Sequence, residues 1–109
     1  LDLDDVPAAY GYMTNTCNSS KNGMRKLRAA LHPYDFTCRP HIVLKESNQN
    51  YENLIKYFGD ISGIYALLNT SLNLHGSPIC SVVDDAIYMM ENSNLDGLLL
   101  KGILVLKEN

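Results

Sequence analysis

The sequence predicts an all-α fold: a compact orthogonal or up-down bundle of about five helices in one small domain spanning residues 1–109. Three observations predict it. Residues 51–74 carry apolar side chains at positions 51, 54, 55, 58, 61, 65, 68 and 72, steps of three or four that mark one helix face. Residues 78–91 repeat the pattern through Ile79, Val82, Val83, Ala86, Ile87 and Met90. The punctuation between segments is of the helix-cap kind, with Ser77-Pro78 placing a cap before a first-turn proline. With 109 residues and a hydrophobic fraction of 46%, the chain suits one core and is too short for two.

The first helix is expected over residues 5–17. Asp4 or Asp5 caps it, Pro7 suits its first turn, and Val6, Tyr10, Met13 and Cys17 share a face. Gly11 weakens it by about 1 kcal/mol relative to Ala. Residues 18–20 form a turn and supply the next cap. A second helix is expected over 21–31, with Met24, Leu27, Ala30 and Leu31 inward, and His32-Pro33 ends it because a residue before proline is pushed out of the helical region. Residues 33–40 are irregular.

The apolar run 41–45 reads as an edge strand or a helix turn. Val43-Leu44-Lys45-Glu46 recurs as Val105-Leu106-Lys107-Glu108, so a two-stranded ribbon of 41–45 with 103–107 is the alternative to an all-helical chain. Asn48 or Asn50 caps the central helix. That helix is either continuous through Gly59 and Gly63, with a neighbour crossing closely there, or broken at Gly59-Asp60. His75-Gly76 ends it with a left-handed glycine. The last helix, 95–107, has Leu95, Leu98, Leu99, Ile103 and Leu106 on one stripe. It has Leu100, Leu104 and Val105 on the remaining face, which points to burial on more than one side.

A net charge of −3 argues against nucleic acid as the main partner, and no apolar run reaches the length of a membrane span. No Gly-rich phosphate loop, metal-spaced His pair or nucleophile elbow is present, so the sequence predicts neither an enzyme nor a cofactor or metal site. Asp84 and Asp85 are adjacent and point to different helix faces. His32, His41 and His75 are scattered at helix ends and loops. Asp35 and Asp60 read as turn and cap residues.

Three cysteines allow at most one intramolecular disulfide. Cys17 and Cys38 are the candidates, closing a loop worth roughly 3 kcal/mol by the chain-entropy model. Cys17–Cys80 and Cys38–Cys80 are the competing pairs. Cys80, in the first turn of the 78–91 helix, is the candidate free or intermolecular thiol, since a helix N-terminus favours thiolate. The non-Met start, the modest charge content, the sequons at Asn18 and Asn69 and the cysteine pair together predict an extracellular, secreted glycoprotein.

The function that follows is binding of another protein, as ligand, inhibitor or subunit, or self-association. The expected interface is Leu100, Leu104 and Val105 together with the basic residues Lys21, Arg25 and Arg28. The alternative is a carrier of a small hydrophobic ligand such as a lipid, its helical cavity lined by Met13, Tyr51, Tyr65 and Met90.

Overall fold

The computed structural model describes residues 8–108. Among them lie three α-helices, two 3-10 turns and two antiparallel two-stranded sheets, so the fold is a mixture of α and β and not the five-helix all-α bundle expected. The chain divides into two compact units, Leu1–Leu68 and Asn69–Asn109.

In the first unit, the helix expected over 5–17 is absent where it is described; residues 1–7 lie outside the described residues. A 3-10 turn, Ala8–Gly11, is followed by Met13 at φ 55°, and the chain then extends into β1, Cys17–Asn18. Ser20 caps the short helix α1, Lys21–Lys26, its Oγ accepting from Gly23 N–H at 3.1 Å. The expected continuation to residue 31 loosens into a 3-10 turn, Arg28–Ala30. The chain then doubles back through His32–Phe36 to β2, Thr37–Cys38. This strand pairs antiparallel with β1, Cys17 facing Cys38 and Asn18 facing Thr37.

Helix α2 spans Lys45–Ser62, with non-helical backbone at Asn48 (φ −160°, ψ 88°). Asn48 is in effect the cap, its Oδ1 accepting from Tyr51 N–H at 3.0 Å. The helix runs unbroken through Gly59 and stops at Gly63, which takes a left-handed φ of 72° and returns its N–H to Gly59 O. The neighbour that needs Gly59 is Tyr65: its ring folds back onto the helix where a Cβ on Gly59 would overlap it. The Tyr65 hydroxyl donates to Asp60 Oδ1 at 2.8 Å, so Asp60 anchors this ring and caps nothing. The apolar stripe of α2 is not a sealed core, because Leu54, Phe58 and Ile61 are exposed and only Gly59 of this helix is buried.

In the second unit, residues 69–80 are irregular where a helix was expected on both sides of residue 76. Asn and Ser side chains take the backbone groups a helix would need. Asn73 Nδ2 donates to the carbonyls of Leu74 and Ser77, both at 3.0 Å. Gly76 does adopt the expected left-handed backbone, at φ 84°. Helix α3 starts at Val83, five residues beyond Pro78, and ends at Glu91. Asp85 sets that start. Its Oδ2 accepts from the N–H groups of Ser81 and Val82 and from the Ser81 hydroxyl, which holds its carboxyl below the ordinary range.

The expected helix 95–107 is a β-hairpin: β3, Gly97–Leu100, and β4, Ile103–Leu106, joined at Lys101-Gly102. The reason is local. Gly102 turns at φ 76°, and Gly97 lies so near β4 that a Cβ would meet the Val105 carbonyl. Alternation then puts Leu98 inward, where it packs with Ala86 and Met90 of α3 and with Leu95 and Val105. Residues 103–106 therefore do form a strand, but their partner is 97–100; residues 41–44 are irregular and residue 45 begins α2, so the expected ribbon does not exist.

Candidate functional site

The best-built group of polar side chains lies between the two short strands of the first unit. His32 N–H donates to Thr37 O at 2.8 Å and Phe36 N–H donates to His32 O at 2.9 Å, closing a tight loop. Phe36 completes it in the left-handed region, φ 58°, a conformation that costs a non-glycine residue on the order of 1 kcal/mol. The loop is held inside by Asp35, whose Oδ1 accepts from Thr37 N–H at 3.0 Å and from the Thr37 hydroxyl at 2.8 Å. His32 Nδ1 lies 3.2 Å from the same oxygen. The Thr37 donors above all, and His32 after them, hold the Asp35 carboxyl below its ordinary value. With Nδ1 engaged, the His32 ring keeps Nε2 for a ligand.

Beside this loop is a cleft of about 250 Å³ lined by Thr16, Ala30, His32, Thr37, Cys38 and Arg39. That volume is below the roughly 300 Å³ at which drug-sized pockets begin. Its size admits a small ligand, and the imidazole and guanidinium in its wall are groups that can hydrogen-bond an anion or a carbonyl. A second cleft of about 360 Å³ is lined by Asn22, Gly23, Lys26 and Leu27 on one side and Gly63–Ala66 on the other. Lys26 bridges it, its Nζ donating to Gly63 O at 3.0 Å, so its one cation is already engaged.

The residues singled out in the sequence are dispersed. Cys17 and Cys38 do meet, with sulfurs 3.6 Å apart, but as free thiols; the disulfide expected of a small secreted bundle is not formed. Burial first, then the hydrogen bond and charge of Cys38, push the Cys17 thiol up. Cys80 is a free, half-buried thiol in the irregular segment before α3, its N–H on Leu72 O, and no helix N-terminus activates it. Lys21, Arg25 and Arg28 are exposed, with Arg25 donating to Asn22 Oδ1. Leu104 is exposed, Leu100 half-buried, and Val105 packs against the α3 core. Of the expected lipid lining, Met90 is core, Tyr51 is exposed, and only Tyr65 lines a described cleft; Met13 is half-buried. Asn18 is exposed on β1, and Asn69 is exposed and irregular. Among the described residues no three His, Cys, Asp or Glu side chains gather as a metal site.

Of the cleft lining, Arg39, Thr16 and Thr37 were not singled out in the sequence, and His32 was read only as a helix-end residue. The signal for His32, Thr37 and Arg39 is density, since HPYDFTCR places His, Asp, Thr, Cys and Arg within eight residues; Thr16 lies outside it.

Residues 3–107 match the family described as Carbamoyltransferase C-terminus, and the chain belongs to that family. It is 36% identical over 108 residues to the uncharacterized protein MJ1051 of Methanocaldococcus jannaschii, covering 96% of this chain and 21% of that protein. A second uncharacterized protein of the same organism, MJ1058, is 40% identical over 96 residues, covering 88% of this chain and 16% of the relative. The nodulation protein NolNO of Sinorhizobium fredii is 34% identical over 107 residues, 98% of this chain and 16% of that protein. The chain thus spans about a fifth or less of the length of these relatives. The family sets the chain in an enzyme-related context.

Proposed function

We propose that this chain contributes to carbamoyl transfer and that the His32–Arg39 cleft binds the small anionic carbamoyl donor. One observation carries the reading: in a chain of this family, Arg39 and His32 line the same cleft of about 250 Å³. A carbamoyl donor such as carbamoyl phosphate joins a phosphate to a polar carbonyl. A guanidinium suits the phosphate with two parallel N–H donors, the Thr16 hydroxyl suits the carbonyl oxygen, where charge develops during transfer, and His32 Nε2, with Nδ1 turned to Asp35, suits the carbamoyl N–H as an acceptor. Asp35 does not touch the donor in this reading. It fixes the His32 ring and the Thr37 end of β2, so that the binding groups are preorganised before the ligand arrives. The chain binds and orients, and the acceptor and the remainder of the reaction belong to the larger assembly that the length of the relatives suggests.

Calorimetric titration with carbamoyl phosphate tests this. The expected result is saturable binding that Arg39→Gln weakens by about tenfold or more, the loss of one charge-assisted pair. Equal binding by the variant, or none by the parent chain, overturns it.

A second reading, association with another protein or with a second copy, keeps its support from a separate observation: the outward leucines of the hairpin, Leu99 and Leu104, are 73% and 64% exposed.

A further inference from the structure

We propose that Cys17 and Cys38 form a dithiol modification site that exchanges with small-molecule disulfides of the glutathione class, and that its closure controls the cleft beside it. The control of the cleft rests on reading that cleft as the donor site; the thiol chemistry stands apart from it.

The two cysteines are direct partners in the β1–β2 register, and their sulfurs are 3.6 Å apart. Directly opposed residues of antiparallel strands have Cα atoms about 4.5–5.5 Å apart, inside the roughly 4.4–6.8 Å that a disulfide requires. Closing the gap to about 2.05 Å therefore needs side-chain rotation and no rebuilding of the backbone. Both thiols are half-buried, open to a small reagent. They differ in position: Cys38 lines the cleft together with His32 and Arg39, and Cys17 does not.

That difference orders the steps. An anionic disulfide is drawn to the cleft by Arg39, and the Cys38 thiolate attacks one of its sulfurs. A Cys38–S–S–R bond forms, and the R–S⁻ leaving group takes up a proton. Cys17, whose thiol burial keeps protonated longer, then loses its proton and attacks the Cys38 sulfur. The Cys17–Cys38 bond forms, and a second R–S⁻ leaves and is protonated. In balance, two cysteine thiols are oxidised and one small disulfide is reduced to two thiols. The product turns the Cys38 sulfur out of the cleft wall toward β1, which alters the lining that Cys38 itself supplies beside Thr37 and Arg39.

The test incubates the reduced chain with oxidised glutathione and reads intact mass, peptide linkage and carbamoyl phosphate affinity. The expected product is lighter by two hydrogens, linked Cys17 to Cys38, with Cys80 still alkylatable. Donor affinity is expected to fall at least about fivefold, the low end of coupling between linked sites, and to return with reductant. Cys17→Ser should stop at the mixed disulfide on Cys38. No Cys17–Cys38 linkage, or linkage through Cys80, overturns the dithiol site. Linkage with unchanged affinity overturns its control of the cleft. If the reduced chain does not bind the donor at all, the reading of the cleft fails, while the mass measurement still judges the dithiol on its own.

Discussion

Asp35 is one exposed carboxylate, yet it holds the loop that lines the candidate cleft. Its Oδ1 collects two donors from Thr37 and faces His32 Nδ1, and the folded chain therefore releases its proton more readily than the unfolded chain does. A carboxylate whose folded pKa lies below its unfolded value adds stability that is present in full above the unfolded value, about 3.9. That stability is lost as pH falls through the folded value. The loop should thus loosen on the acid side of pH 4 and not near neutrality. Amide exchange at Thr37 measures this directly: protection should fall below pH 4 in the parent chain and be low at every pH in Asp35→Ala, which removes the acceptor. Thr37 protection that is indifferent to the substitution would show that the strand pairing alone holds the loop. None of this could be read as a site from the sequence. Asp35 was legible as a turn residue, but the pairing of Thr37 with Asn18, which brings Thr16 and Arg39 to one cleft, is a long-range contact with no local signal.

The elements show where sequence patterns decide and where they do not. Caps with a side-chain oxygen were legible in part: the cap expected within residues 18–20 falls on Ser20 and the choice of Asn48 or Asn50 on Asn48, since each answers a local need for an acceptor, whereas Ser77 caps no helix. The left-handed backbone of Gly76 was legible, but not as the end of the central helix, which stops at Gly63. The C-terminal hairpin was not. An apolar run with leucines on every face satisfies a helical stripe and a strand alternation equally, and only Gly97 and the Lys101-Gly102 turn decide between them. The hairpin also completes α3. Lys107 extends its ammonium to the carbonyls of Met90 and Glu91 at the end of the helix and of Ser93 just beyond it, at 3.3, 3.4 and 2.9 Å. A cation there stabilises through the helix dipole and charge-assisted bonds by about 0.3–1 kcal/mol, toward the upper end where three acceptors share it. Lys107→Met keeps the stem and removes the charge. It should lower the unfolding free energy by about that amount and leave carbamoyl phosphate binding unchanged. Denaturant titration checks the first, and calorimetry the second. A variant as stable as the parent would mean that these bonds are exchanged for water at no net loss.

At the scale of the molecule, the balance of buried and exposed apolar surface is the main physical feature. Among the described residues, the buried hydrophobic side chains are Leu31, Ala86, Met90 and Leu98, while more than twenty large ones remain exposed. The amphipathic stripes were legible only in part, since α2 ends at Ser62 within the 51–74 stripe, α3 begins at Val83 within the 78–91 stripe, and the 95–107 stripe is a hairpin. What covers them was not, because periodicity specifies a face and says nothing of whether a neighbour within the same chain exists for it. Leu99 and Leu104 are the sharpest case, since they oppose each other across the hairpin, on the face away from Leu98. Apolar surface of this kind is an association site when it is left uncovered. The chain is therefore expected to self-associate as its concentration rises, and Leu99→Lys with Leu104→Glu should suppress this. The two new charges stand opposite each other, and a cross-strand pair of opposite sign contributes roughly 0.2–1 kcal/mol, so hairpin stability should be kept. Sedimentation velocity across a concentration series, paired with a thermal melt, separates the outcomes. A parent chain that stays monomeric at every concentration would show that these leucines are tolerated singly in water. A variant that still associates would place the sticky surface elsewhere, with the exposed Phe58 and Ile61 of α2 the next residues to change.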